Sequence, residues 1–146
     1  MPTSSYTKVQ DYAEQVNKAV HDWSTHDFKL SLALTAPVAT NATLSAITEI
    51  ANGGGYTGGA GGGYTLDTET LTETTGTAKV TIADEVITAT GAAIAQFRYL
   101  YLYNNTPTSP VDPGVAIFDY GSALDLADGE TLTVNFDGAG GVWTMA

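Results

Sequence analysis

The sequence predicts a mainly β chain: an antiparallel β-sandwich of jelly-roll or Greek-key type, with about eight strands and one N-terminal α-helix. Three observations predict it. The stretch Phe97-Arg98-Tyr99-Leu100-Tyr101-Leu102-Tyr103 is apolar on both faces of an extended chain. From Phe28 onward, short runs with a period of two recur between glycine, Asp-Gly and proline turn signals. A period of three and four appears only near the start of the chain.

In the first stretch, Phe97, Tyr99, Tyr101 and Tyr103 share one face, and Leu100 and Leu102 share the other with Arg98 at its end. Such a strand wants cover on both sides, which places it in the middle of a packed double layer. Each buried tyrosine hydroxyl then needs a partner.

Taken in order, Met1 to Tyr6 reads as a mobile arm. Val9, Tyr12, Val16, Val20 and Trp23 recur at three and four, so Thr7 to Asp22 reads as one amphipathic helix with Thr7 as its N-cap. Its apolar face must dock on its own sandwich or on a neighbouring subunit. Arm and helix together form a leading segment, 1–26, ahead of a sandwich domain, 27–146. Phe28 to Leu34 alternates cleanly, and Pro37 stops that strand. Leu44 to Ala51 reads as a short helical turn. Asn52 to Gly63 is a glycine-dominated loop that is costly to order, with Tyr56 and Tyr64 as the side chains able to hold it. Thr-rich strands follow over Tyr64 to Thr72, Thr77 to Ala83 and Val86 to Thr90. A proline-rich loop over Asn104 to Gly114 separates the Tyr-rich strand from Val115 to Gly121. Thr131 to Phe136 turns Leu132, Val134 and Phe136 inward after an Asp-Gly turn. Val142 to Met145 closes the chain.

Composition narrows the function. The net charge is −11, and only Lys8, Lys18, Lys29, Lys79 and Arg98 are basic. Such a surface repels phosphates and anionic lipid heads, so neither nucleic acid nor membrane is expected as a partner. Without cysteine there is no disulfide framework, thiolate zinc site or cysteine nucleophile. Met1 to Tyr6 lacks a basic region followed by an apolar run, so no secretory signal is expected.

Four patterns touch on chemistry. Gly53-x-Gly55-x-x-Gly58 has the dinucleotide spacing, but more glycine and a Thr-rich strand follow where that motif needs a helix. His21-Asp22-Trp23-Ser24-Thr25-His26-Asp27 gathers both histidines with carboxylates and a serine. Adjacent residues rarely converge as a triad does, so a helix C-terminus with Trp23 buried is the favoured reading. Asp125, Asp128 and Glu130 surround Gly129 without calcium-loop spacing, which favours a solvated hairpin. The aromatic residues, with Tyr56 and Tyr64 foremost, can be read as a sugar platform or as core, and core is favoured. No cofactor, metal or catalytic residue is expected, and an enzyme is the least favoured class.

The motif order carries a resemblance. Trp23-Ser24-x-His26-Asp27-Phe28-Lys29-Leu30-Ser31-Leu32 leads to Ile47-Thr48-Glu49-Ile50-Ala51-Asn52-Gly53-Gly54-Gly55-Tyr56-Thr57. Next comes the ribbon Phe97 to Asn104, and last Phe118-Asp119-Tyr120-Gly121-Ser122 through Leu126 to Phe136. This resembles a family of small virion structural proteins of tailed bacteriophages. The resemblance implies a non-enzymatic protein of the virion, assembled in the host cytoplasm. Its expected role is capsid decoration (cement), binding the major capsid protein lattice and stabilising the shell. A tail, neck or fibre component is the alternative, and a carbohydrate-binding module for host attachment is the second. Partners implied are the major capsid protein or other virion proteins, and a homo-oligomer, dimer or trimer. Val9, Tyr12, Val16, Val20, Trp23, Tyr56 and Tyr64 are the candidate subunit contacts.

Overall fold

The structure, a computed structural model, describes residues 4–145. It is mainly β. In chain order the elements are β1 (Ser5–Lys8), α1 (Tyr12–Asn17), β2 (Phe28–Ala33), β3 (Tyr64–Thr65), β4 (Thr70–Thr74), β5 (Thr77–Thr81), β6 (Glu85–Thr88), β7 (Ile94–Asn104), β8 (Gly114–Leu126), β9 (Thr131–Val134) and β10 (Trp143–Met145). A single 3₁₀ turn at Leu44–Ala46 lies where a short helical turn was predicted. Every strand pair is antiparallel. The strands form a five-stranded sheet in the order β1-β8-β7-β2-β3, a three-stranded sheet β10-β5-β4 and the pair β6-β9.

β7 contains the Tyr-rich ribbon and sits third of five, bonded to β8 on one side and β2 on the other. Its position follows from its side chains, since a strand apolar on both faces gains most from cover on both. On the leucine face, Leu100 and Leu102 lie beside Leu32 and Leu30 of β2 and Phe118 and Ala116 of β8. Phe136, just past β9, packs edge-on against Phe118 with ring centroids 6.1 Å apart, so the smaller sheets cover this side. On the other face, Tyr101 and Tyr103 are fully buried, and each hydroxyl donates to a loop carbonyl: Tyr101 to Asn41 at 2.7 Å, Tyr103 to Gly62 at 2.5 Å. The requirement that buried hydroxyls find partners is met by main chain.

The glycine loop is held in place. Tyr56 is buried in it, Lys29 Nζ donates to the Gly61 carbonyl, and Gly58 N donates to Asn52 Oδ1. At Gly63, φ is +80° and a Cβ would collide with the Leu30 carbonyl of β2, so the loop lies flat on the strand only where no side chain intervenes.

The leading segment departs from expectation. Thr7 is not a helix cap; it belongs to β1, paired with Ile117 of β8. The helix spans six residues instead of sixteen, and Asp11 occupies its N-cap without a side-chain cap bond. Ala19 at φ +57° ends it, and Val20 N reaches back to the Gln15 carbonyl. Ser5 and Tyr6, read as a mobile arm, are strand, while residues 1–3 of that arm lie outside the described residues. Residues 4–26 therefore do not hang off a sandwich that begins at position 27. They supply one edge of its main sheet.

Candidate interaction surface

The apolar residues singled out for subunit contact are largely spent inside the chain. Val9 and Tyr12 are fully buried, Tyr56 and Trp23 nearly so, and Val16, Val20 and Tyr64 are half-buried. Of the two docking sites open to this stripe, its own sandwich is the one occupied. Trp23 lies flat on Phe28 of β2, with ring centroids 3.6 Å apart and planes within 3°. Its indole N–H donates to the Tyr12 hydroxyl at 2.8 Å, and Tyr12 meets Trp143 of β10 edge-on. One stacked and hydrogen-bonded cluster thus ties α1, the turn after it, β2 and β10 together.

That turn brings the two histidines together. Their five-residue spacing does not make one helical face, but the chain from Lys18 to Asp27 is turn and not helix. Asn104, at the end of β7, points its amide nitrogen at His21 Nδ1 (3.2 Å) and His26 Nδ1 (3.0 Å). An amide nitrogen only donates, so both Nδ1 atoms accept and both ring protons sit on Nε2. Asn104 Oδ1 accepts from Thr106 N, and Thr106 Oγ1 accepts from Asp27 N. Burial, followed by the neighbouring His26, lowers the pKa of His21 to about 4, with Asp11 opposing weakly. His21 Nε2 is buried without a partner. Ser24 is exposed, and its backbone N–H and Thr25 Oγ1 both go to the Asp22 carboxylate. The arrangement fastens the leading segment to β7 and presents no nucleophile.

A second closed cluster lies under the glycine loop. Glu49 Oε1 accepts from Ser31 Oγ (2.5 Å) and from the Tyr56 hydroxyl (2.7 Å), and Oε2 accepts from Gly59 N (2.7 Å). The Tyr56 oxygen in turn accepts from Leu32 N. Burial raises the pKa of Tyr56 well above its usual value, so it stays a neutral donor. These donors are internal to the fold, and Ser31 is fully buried.

The remaining patterns are local. Gly53 and Tyr56 exchange two backbone hydrogen bonds across a tight turn, and no helix follows Gly58. Glu130 accepts from Ala127 N and closes its own turn, while Asp128 accepts from Gly91 N and ties that turn to the loop ahead of β7. Among the described residues no three of His, Asp and Glu gather as metal ligands. The would-be sugar platform is dispersed: Tyr56, Tyr101 and Tyr103 are buried, and the Tyr64 hydroxyl is buried without a partner.

What stays open lies at one rim of the main sheet. All four residues of β1 are exposed, and among the described residues no strand is bonded to its outer side. Tyr6 leans on Phe118, ring centroids 5.5 Å apart. Beside it lies a notch of about 350 Å³ whose lining includes Tyr6, Leu100, Phe118, Val134, Phe136 and Asp137. Sequence reasoning missed this feature because it took Tyr6 for part of an arm. The signal available was Ser5-Tyr6-Thr7-Lys8 itself, a short run favouring strand ahead of the first helical residue. No family model, no curated protein and no solved structure matches this chain.

Proposed function

We propose that this chain is a non-enzymatic structural protein of a phage particle, specifically a decoration protein that binds the assembled shell lattice and stabilises it. The observation that carries the reading is the closure of both polar clusters. The histidine pair and the Glu49 carboxylate, the groups best suited to chemistry, are engaged by Asn104, Ser31, Tyr56 and backbone N–H groups inside the fold. What the chain offers outside is a mostly acidic surface with an open strand edge, which suits joining to other proteins. The motif order that resembles small virion proteins of tailed phages supplies the setting. Decoration then works by mass action, because a ligand that binds only the assembled lattice stabilises it.

The test is co-sedimentation of the purified chain with undecorated shells, followed by heating. Saturable binding at many copies per shell, with a raised disruption temperature, is the expected result. Absence of binding overturns the decoration role. Gold labelling confined to one vertex transfers the assignment to the tail or neck. Burial of Tyr56, Tyr101 and Tyr103 leaves Tyr64, Tyr99, Tyr120 and Trp143 as the aromatics on which the glycan-binding alternative rests, and a glycan array without hits would count against it.

A further inference from the structure

We propose that β1 is a self-association edge: two copies of this chain pair their β1 strands antiparallel about a two-fold axis passing by Thr7, joining two five-stranded sheets into one of ten.

The phase of the β1–β8 ladder fixes which groups are free. Ser5 pairs with Asp119 and Thr7 with Ile117, and Val9 N donates to the Val115 carbonyl at 2.9 Å in the same phase. Antiparallel ladders bond through alternate residues. Ser5 and Thr7, and the N–H of Val9, are therefore spent on β8, while the Val9 carbonyl accepts from Tyr12 N. The N–H and C=O of Tyr6 and Lys8 point outward, where among the described residues no strand is bonded to them; Gly140 to Thr144 lie beside their side chains across a shallow pocket. An edge of this kind is a template for another strand.

The other edges are guarded. β4 contains Glu73 and follows Glu69. β6 begins at Glu85 after Asp84, and β9 follows Glu130. β3 and β10 are two and three residues long. From Ser4 to Gln10 there is no carboxylate. For a chain of net charge −11, a carboxylate-free edge is where a second copy meets least repulsion.

Charge also selects the register. With Thr7 opposite Thr7 of the partner, Tyr6 faces Lys8 of the partner and the reverse holds across the axis. All four outward-facing residues of the two strands then exchange backbone hydrogen bonds. The two lysines never meet, although a lysine on an edge otherwise discourages pairing. Directly opposed residues project to one face. The ammonium of the partner's Lys8 thus arrives beside the Tyr6 ring, at the notch that Tyr6 and Asp137 both line. The Asp137 carboxyl is held below its usual pKa by Gly140 N and Ala139 N, so it is charged and ready for that cation. The two-fold axis stands perpendicular to the sheet, which makes the contact isologous and closed.

The inference stands apart from the particle assignment, because purified protein tests it without a shell. Sedimentation equilibrium of the full chain across the micromolar range is expected to show a monomer–dimer equilibrium. Tyr6→Pro removes an outward N–H and leaves the β8 ladder intact, so it is expected to weaken dimerisation about tenfold or more while keeping the monomer's circular dichroism. Lys8→Glu sets a carboxylate against the partner's Asp137 and is expected to weaken the dimer most at low salt. Should Tyr6→Pro fail to fold, amide exchange on the unaltered chain decides: protection at Tyr6 and Lys8 must rise with protein concentration, while Thr7 stays constant. A monomer at every concentration, a dimer indifferent to folded Tyr6→Pro, or exchange independent of concentration overturns the proposal. Shell binding by a chain that stays monomeric and is weakened by Tyr6→Pro would assign the edge to a shell protein instead.

Discussion

Replacing Trp23 with alanine tests whether the leading segment belongs to the core. Trp23 is about 4% exposed, stacked on Phe28 and bonded through its indole N–H to the buried Tyr12 hydroxyl. Removing a buried indole costs about 3–5 kcal/mol, and Tyr12 loses its donor as well. For a chain of this size each kcal/mol moves the melting midpoint by roughly 2–4 °C, so Trp23→Ala is expected to lower it by about 6–20 °C. Trp23→Phe keeps a ring over Phe28 and loses only the hydrogen bond, which predicts a smaller loss of about 1–2 kcal/mol. The assay is urea and thermal unfolding followed by far-ultraviolet circular dichroism, with the urea slope m checked for constancy. A loss below about 1 kcal/mol for Trp23→Ala would refute the reasoning. So would a chain lacking residues 1–26 that unfolds cooperatively at the parent's midpoint. That truncation removes β1, Val9, Tyr12 and Trp23 together, so its failure to bind a shell would not identify the segment as an anchor.

Three further outcomes are expected. His21 titrates near 4 when folded and near 6.5 when unfolded, so its neutral form stabilises fully above pH 6.5; that stability falls as pH drops from 6.5 toward 4, by up to about 3 kcal/mol, and His21→Gln should flatten this part of the urea-midpoint profile. Glu49→Ala leaves Gly59 N without its acceptor and Ser31 and the Tyr56 hydroxyl with only each other, and is expected to cost about 2–3 kcal/mol, with amide exchange at Gly59 accelerating more than at β7; equal acceleration at both would count against a local clasp. Gly63→Ala and Gly59→Ala both force a side chain into left-handed backbone, but only Gly63 meets the Leu30 carbonyl while Gly59 meets open space; differential scanning calorimetry should show the first losing several degrees more, and equal losses would mean the loop does not lie on β2 as described.

The sequence revealed what side-chain pattern encodes. β7 was legible because its two apolar faces permit no position but the middle, and β2 because Phe28, Leu30 and Leu32 alternate without interruption. The helix was over-read for a physical reason. Val9, Tyr12, Val16 and Trp23 all reach the core, yet Val9 does so at a strand exit and Trp23 from a turn, and their helical spacing is shared by accident. The cover over Tyr101 and Tyr103 was invisible because it consists of main-chain carbonyls, which every residue possesses. Convergence of His21 and His26 depends on Asn104, far away in the chain, and spacing alone could not reveal it.

The grip of Tyr103 on the Gly62 carbonyl has a practical corollary. The contact reads a backbone oxygen, so it constrains the path of the loop at Gly62 and Gly63, where no Cβ fits, and leaves side chains elsewhere in the loop unread. A foreign peptide can accordingly be inserted at the exposed Ala60, provided that the anchors at Glu49, Tyr56, Gly58, Gly59 and Gly62 are kept as they are. That makes the glycine bend a natural port for display, carried on a scaffold whose rigidity resides in the tyrosines beneath it.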